Sequence, residues 1–354
     1  MKGQTMEVDK KYCSSSFLMY RIVDDESKCF SLKYPLNMYP FPSNRQPIKD
    51  SAELETFLKT HLAEKIKGKK VGLALSGGID SAILLKYMPK DAIAYTFKCI
   101  VPGKEVTDES GKAQDYIKHS GLNLEHKIVP IYWEDHEKSA PLLMKHKGAP
   151  IHSIEAQIYK AALQAKADGC DIFVFGETAD CIYGGHSNLL AKDYTFDEFV
   201  QRWCFLLPSK VLKESELILS PIKAFEENGH INVPKFLTLF ESKASYNSYV
   251  NACKLAGIEF YAPYAETIMS EPLDLERVRK GENKYIIREL FSKLYQDLTP
   301  PAKVPMPRPM NEWMEHWSGP TRPEFLPHCT DQMTGDQKWL VYALEQFLNI
   351  IDES

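Results

Sequence analysis

From residue 71 onward, short apolar runs alternate with stretches whose apolar positions recur every three to four residues, a pattern that predicts strands and helices in turn. Strands are expected at Val71 to Leu75, Ala92 to Lys98, Leu124 to Ile131 and Asp171 to Phe175. Helices are expected from Ser81, around Asp108 to Ser120, and from Ser153 to Asp168, where Ile154, Ile158, Ala161, Ala162 and Ala165 share a face. Strand and helix in alternation imply right-handed crossovers, so the fold class is α/β, a parallel sheet flanked by helices. Ligands of such sheets sit at the carboxyl ends of the strands.

Ahead of this body, Phe17 to Val23 and Cys29 to Tyr34 are β-rich runs separated by Asp24-Asp25-Glu26-Ser27, and they predict a small N-terminal hairpin. Pro35, Pro40, Pro42 and Pro47 then break regular structure, and a helix from Ser51 to Lys67 leads into the first core strand. After about Ser187 the pattern is mostly helical. It ends in Asp336 to Ile351, where Trp339, Leu340, Ala343, Leu344, Phe347, Leu348 and Ile351 form a stripe that predicts a helix docked on the core. The expected division is residues 1–47 as a small β element and linker, 48–320 as the main domain, and 321–354 as a tail with its docking helix.

Composition narrows the function classes. A net charge of −5 over 354 residues gives no electrostatic footprint for nucleic acid. The eight cysteines form no CxxC pair, which fits reduced thiols in an intracellular protein and argues against a zinc site or a disulfide framework. No apolar run reaches membrane-spanning length and the first residues lack a secretory h-region, so the expected compartment is the cytoplasm.

The candidate chemistry begins where the first core strand ends. Val71 to Ser81 reads Val-Gly-Leu-Ala-Leu-Ser-Gly-Gly-Ile-Asp-Ser, a strand, a glycine turn and a helix start. Gly77 and Gly78 allow successive N–H groups to face one concavity, and the helix start adds its positive end, so an anion is favoured there. The Lys-Ser/Thr ending of the loop that grips a γ-phosphate is missing, and a carboxylate, Asp80, stands in its place. That arrangement suits a magnesium-bound pyrophosphate. The segment resembles the PP-loop ATP pyrophosphatase family, whose signature is Ser-Gly-Gly-x-Asp-Ser and whose members cleave ATP between the α- and β-phosphates.

A second loop leaves the end of the fourth strand as Phe175-Gly176-Glu177-Thr178-Ala179-Asp180-Cys181-Ile182-Tyr183-Gly184-Gly185-His186. It resembles the asparagine synthetase pattern Gly-Glu-Gly-x-Asp-Glu-hydrophobic-aromatic-Gly-Gly. Ala262-Pro263-Tyr264, Lys284-Tyr285-Ile286-Ile287-Arg288 and Pro300-Pro301-Ala302-Lys303 resemble the Val-Pro-Phe, Lys-x-x-Leu-Arg and lysine-bearing segments of the same enzymes. The resemblance spans roughly Ile48 to Trp317. It implies a PP-loop, adenine nucleotide α-hydrolase-like fold and a ligase that uses ATP and Mg2+. A carboxylate would attack the α-phosphate, pyrophosphate would leave, and ammonia or an amine would displace AMP.

On this resemblance Asp80 and Asp180 would hold magnesium, Glu177 would take the amine proton, Lys303 would meet the reacting phosphate, and Lys284 would be a further catalytic residue. Ala74, Leu75 and Phe97 would surround adenine, Gly176 would lie against the ribose, and Ser76, Gly77, Gly78, Asp80 and Ser81 would bind phosphate.

Departures from the pattern limit the substrate. The roughly fifty residues before the synthetase part are too few for the family's glutaminase domain. Nitrogen is therefore expected as free ammonia, from a separate glutaminase, or as the amine of a larger substrate. Thr178 and Cys181 replace a glycine and an acid of the pattern, and Glu266 is gained, which points to a carboxylate other than aspartate. An NAD synthetase-like enzyme, another amidating PP-loop enzyme and a non-catalytic nucleotide-binding subunit remain as alternatives, and self-association stays open.

Overall fold

A computed structural model describes residues 6–302 and 305–353. Five parallel strands form the central sheet: β1 Val71–Ala74, β2 Ile93–Cys99, β3 Glu125–Ile131, β4 Ile172–Val174 and β5 Glu259–Tyr261. Their order is β5-β4-β1-β2-β3. In the middle of the sheet Leu73 pairs with Ala94 on one side and Val174 on the other. The expected strands at 71, 92, 124 and 171 are all present to within a residue or two. The fifth, Glu-Phe-Tyr, opens on an exposed glutamate and has only Tyr261 buried, so it carries no apolar run to separate it from a loop.

The sheet is covered on both faces. Helices α2 Ile79–Leu85, α3 Ser110–Ser120 and α7 Tyr285–Leu294 bring Ile83, Ile117 and Leu290 onto Leu73, Ala94 and Val174. The opposite face, with Tyr95 and Phe173, packs α5 Ser153–Ala167 and α6 Ser242–Ala256, backed by α4 Trp133–Lys147, α1 Lys10–Tyr20 and α8 Gly335–Asp352. Complete burial of Leu73, Tyr95, Phe173 and Val174 identifies these strands as two-faced core rather than edge.

The N-terminal hairpin expected over residues 16–34 is corrected by the structure. Its first run is the C-terminal half of α1, which Asp9 caps through the Tyr12 N–H at 2.9 Å. Every residue from Cys13 to Tyr20 is buried. A helix buried on all sides has no polar face to reveal its period, so its apolar run reads as a strand. What β structure there is consists of a two-residue parallel pairing, Glu7–Val8 with Lys28–Cys29.

The expected C-terminal docking helix is α8, whose Trp339, Leu344 and Phe347 are buried. Phe347 meets Phe30 edge-on at 5.3 Å, so the two ends of the chain share one apolar cluster.

Candidate active site

The loop between β1 and α2 is tied down at several points. Ser76 Oγ and Ser81 Oγ lie 3.0 Å apart, and the Ser76 and Gly78 N–H groups donate to Ser81 Oγ and Ser76 Oγ. Three tyrosine hydroxyls fix its carbonyls: Tyr116 donates to Gly77 at 3.0 Å, Tyr264 to Asp80 at 3.0 Å, and Tyr295 to Ala82 at 2.6 Å. These come from α3, from the segment after β5 and from the end of α7, so distant parts of the chain hold one turn. The first two glycines of the motif have ordinary negative φ, so the reason for glycine is close approach. A Cβ at Gly77 would stand 3.1 Å from Glu109 Oε1.

The expected phosphate cradle is thus partly engaged by the chain itself. The carboxylate of Glu109 accepts from the Gly77 N–H, and its pKa is raised by burial. Sequence patterning did not single out Glu109, because it belongs to a different strand-to-helix connection and is joined to the loop only by the fold.

The loop after β4 approaches the same point. A Cβ at Gly176 would lie 3.0 Å from both Asp80 Cβ and Ser81 N, so only glycine lets the two loops meet. Beyond it, Thr178 has φ +70°, a strained position for a β-branched residue. Gly185 admits Asp180: a Cβ there would stand 1.9 Å from Asp180 Oδ1.

Lys284 ties the two loops together. Its ammonium is 2.5 Å from both carboxylate oxygens of Asp80 and 3.0 Å from Asp180 Oδ1. It occupies the N-cap of α7 with φ +53° and is buried. Burial disfavours its charge, but Asp180 and Asp80 together outweigh that and raise its pKa.

Glu177 faces the same space, enclosed by protein though partly open to the cavity. Ser245 Oγ donates to its Oε1 at 2.6 Å. Burial raises its pKa, while hydrogen bonds from Ser245 and Tyr249 oppose the shift.

One cavity of about 210 Å³ is lined by Ala74, Leu75, Ser76, Gly77, Gly78, Asp80, Ser81, Phe97, Gly176, Glu177, Asp180 and Lys284. The sequence-predicted residues therefore meet at the carboxyl ends of β1, β2 and β4. Lys303 lies outside the described residues, although its neighbours Pro301 and Ala302 line the cavity. Tyr249 and Ser245 were not expected; they sit on α6, where no motif marks them.

Asp80 and Asp180 were expected to hold magnesium. Among the described residues no group of three or more His, Cys, Asp or Glu side chains could hold a metal. Two carboxylates converging on one cation nevertheless fit a magnesium ion, which takes one or two protein carboxylates and completes its shell with substrate phosphates and water.

Among known proteins, a family model described as asparagine synthase matches residues 54–246, more than half of the chain. A solved structure of NMN synthetase from Francisella tularensis aligns over 72% of this chain and 96% of its own, with 15% identity and a TM-score of 0.27. No curated protein matches. No helix among the described residues is long and apolar enough to cross a membrane.

Proposed function

We propose, since the chain belongs to the asparagine synthase family, that it is an ATP-dependent ligase joining a carboxylate to ammonia or an amine, with AMP and pyrophosphate as by-products. The observation that carries this reading is the convergence of the Ser76 to Ser81 loop, Asp80, Asp180, Lys284 and Glu177 on a single cavity.

In the first step a substrate carboxylate attacks the α-phosphorus, the bond to the bridging oxygen breaks, and pyrophosphate departs. Negative charge grows on the leaving group. Lys284, held by the half-buried carboxylates of Asp80 and Asp180, would meet it with its ammonium. Magnesium, held by Asp80 and Asp180, would supply further charge neutralisation on the phosphate oxygens. The Glu109 carboxylate on the Gly77 N–H must yield that amide before a phosphate can accept from it.

In the second step an amine attacks the acyl carbon of the acyl-adenylate and must lose a proton. Glu177 is the acceptor: its raised pKa brings its basicity toward neutrality, and Ser245 and Tyr249 aim the carboxylate. AMP then leaves with the electron pair of the acyl–oxygen bond.

The test is pyrophosphate release from MgATP with a panel of carboxylic acids, beginning with aspartate, and with ammonia or small amines as acceptors. Acid-dependent release with an amide product identified by mass establishes the ligase. ATP binding without turnover for any acid favours the non-catalytic alternative.

A further inference from the structure

Next to the nucleotide cavity lies a second, larger chamber of about 610 Å³, and the two share Glu177, Asp180, Tyr249 and Met306 as a common wall. Whatever occupies the second chamber therefore presents one end to the carboxylate proposed as base. An ammonia molecule takes up roughly the 30 Å³ of a water molecule and would leave nearly all of this space unused. The volume falls in the range of sites for small organic ligands, about 300–1,000 Å³.

The charges of its walls say what kind of ligand. Glu177 and Asp180 stand on the wall shared with the first cavity and Glu241 beside Arg21, while Arg21, Arg202 and Arg308 line the second chamber but not the first. Arg21 is already engaged: it pairs with Glu241 at 2.7 Å, contacts His152 Nε2 at 3.0 Å and lies over the Phe205 ring at 3.9 Å. Its backbone, at φ +64°, closes α1 as the left-handed C-cap.

Arg308 gives only its Nε to Asp336, at 2.8 Å. Its two terminal amino groups have no hydrogen-bond partner among the described residues. Arg202, exposed at the chamber wall, has no side-chain partner among them. Arg308 also faces Arg21 and His152, and its charge helps push both toward the neutral form after the larger effect of burial. Guanidinium groups brought together in this way, with N–H groups still to give, form a site for an anion.

We propose that the organic substrate of this enzyme seats in the second chamber and carries an anionic group besides the group that reacts, bound by Arg308 and Arg202. This deepens the ligase reading and rests on it for the identity of the reacting end. Carboxylate is the anionic group that an acid-activating enzyme encounters most directly. Arg308 lies outside residues 54–246 and Arg202 within them, so one of the two specificity determinants comes from a part of the chain that the family match does not cover.

The test uses the linear dicarboxylates from malonate to adipate, each beside its monoamide, which has nearly the same shape and one charge fewer. Thermal shift and calorimetric titration on the full chain are expected to show at least one dicarboxylate binding tenfold or more tighter than its monoamide. Arg308→Gln and Arg202→Gln should each bring that dicarboxylate down toward its monoamide. Arg202 is exposed, so its variant remains folded and decides the matter if Arg308→Gln fails to fold. Equal binding of every dicarboxylate and monoamide, or an undiminished preference in Arg202→Gln, overturns the proposal.

MgATP binding, followed in the same experiments without dicarboxylate, can fail by itself and so separates an error in the ligase reading from an error here. A dicarboxylate that binds and also triggers pyrophosphate release is the acid. One that binds without release marks the anionic end of the acceptor amine, and either result supports the site.

Discussion

The ammonium of Lys284 lies 2.5 Å from both oxygens of Asp80, although 204 residues separate the two in sequence. This pair, extended to Asp180, is what joins α7 to the loops after β1 and β4. Removing the ammonium by Lys284→Met leaves two half-buried carboxylates facing each other, and since loss of one partner of a fully buried pair costs about 3–5 kcal/mol, the solvent-screened cost here is expected to be roughly half of that. The variant should unfold at lower denaturant concentration and release no pyrophosphate. Because the folded pKa of Lys284 is raised, its stabilisation is whole below the ordinary lysine value and is lost only as pH rises through the folded value. Wild-type stability followed by denaturation should therefore show this contribution unchanged through neutral pH and falling only in strongly alkaline solution.

Glu177 is predicted to set the acid limb of the pH profile. It must be ionised to accept a proton, so turnover should fall as pH drops through its raised pKa, at a pH above the usual glutamate range. Glu177→Gln should lower turnover by about 10²–10⁴-fold. Stability moves the other way. The folded state favours protonated Glu177, so this contribution is present below the usual glutamate value and disappears as pH rises through the folded one. At pH 8 the Gln variant should melt higher than wild type while being nearly inactive, a combination read by calorimetry and pyrophosphate assay together.

Thr178 stands where the resembling pattern has glycine, and its φ of +70° carries strain of order 1–3 kcal/mol. Thr178→Gly should stabilise the protein by about 1 kcal/mol once lost side-chain packing is set against relief of strain. Chemical denaturation decides it: a clear loss of stability would mean that the buried threonine side chain contributes more than the backbone costs.

Gly185→Ala should act on the site rather than on the fold as a whole. The new methyl would stand 1.9 Å from Asp180 Oδ1 and 2.8 Å from Asp180 Cα, so the carboxylate and the backbone that carries it must shift from where they meet Lys284. A displacement of about 1 Å can cost 10²-fold in rate. The expected result is a loss of that order in pyrophosphate release, with the circular dichroism spectrum of the wild type.

The residues of the site were legible where one loop carries several of them. Asp80 with Ser76 and Ser81, and Glu177 with Asp180, share short segments whose spacing betrays their purpose. Lys284 could be named only through resemblance, since a lysine before a helix ordinarily points to water. Glu109, Tyr249 and Ser245 left no trace because each is an isolated residue on an otherwise ordinary helix or connection, brought in by tertiary packing. The fold followed the same division. Strands that lie in apolar runs between amphipathic helices declared themselves, whereas α1 concealed its period because Cys13 to Tyr20 are all buried, and β5, with a glutamate at its start, did not stand out from the helix before it.

The contact between α1 and α8 has a consequence for synthesis. Lys10 of α1 pairs with Asp352 of α8 at 2.8 Å, and Phe30, beyond the end of α1, meets Phe347 of α8. At about 5–20 residues per second, the first helix leaves the ribosome roughly 15–70 seconds before the last. For that interval Phe17, Leu18 and the other apolar residues of α1 lack their final cover. Until α8 emerges, that apolar surface stays open to water and to other chains, and a product truncated ahead of α8 is expected to aggregate.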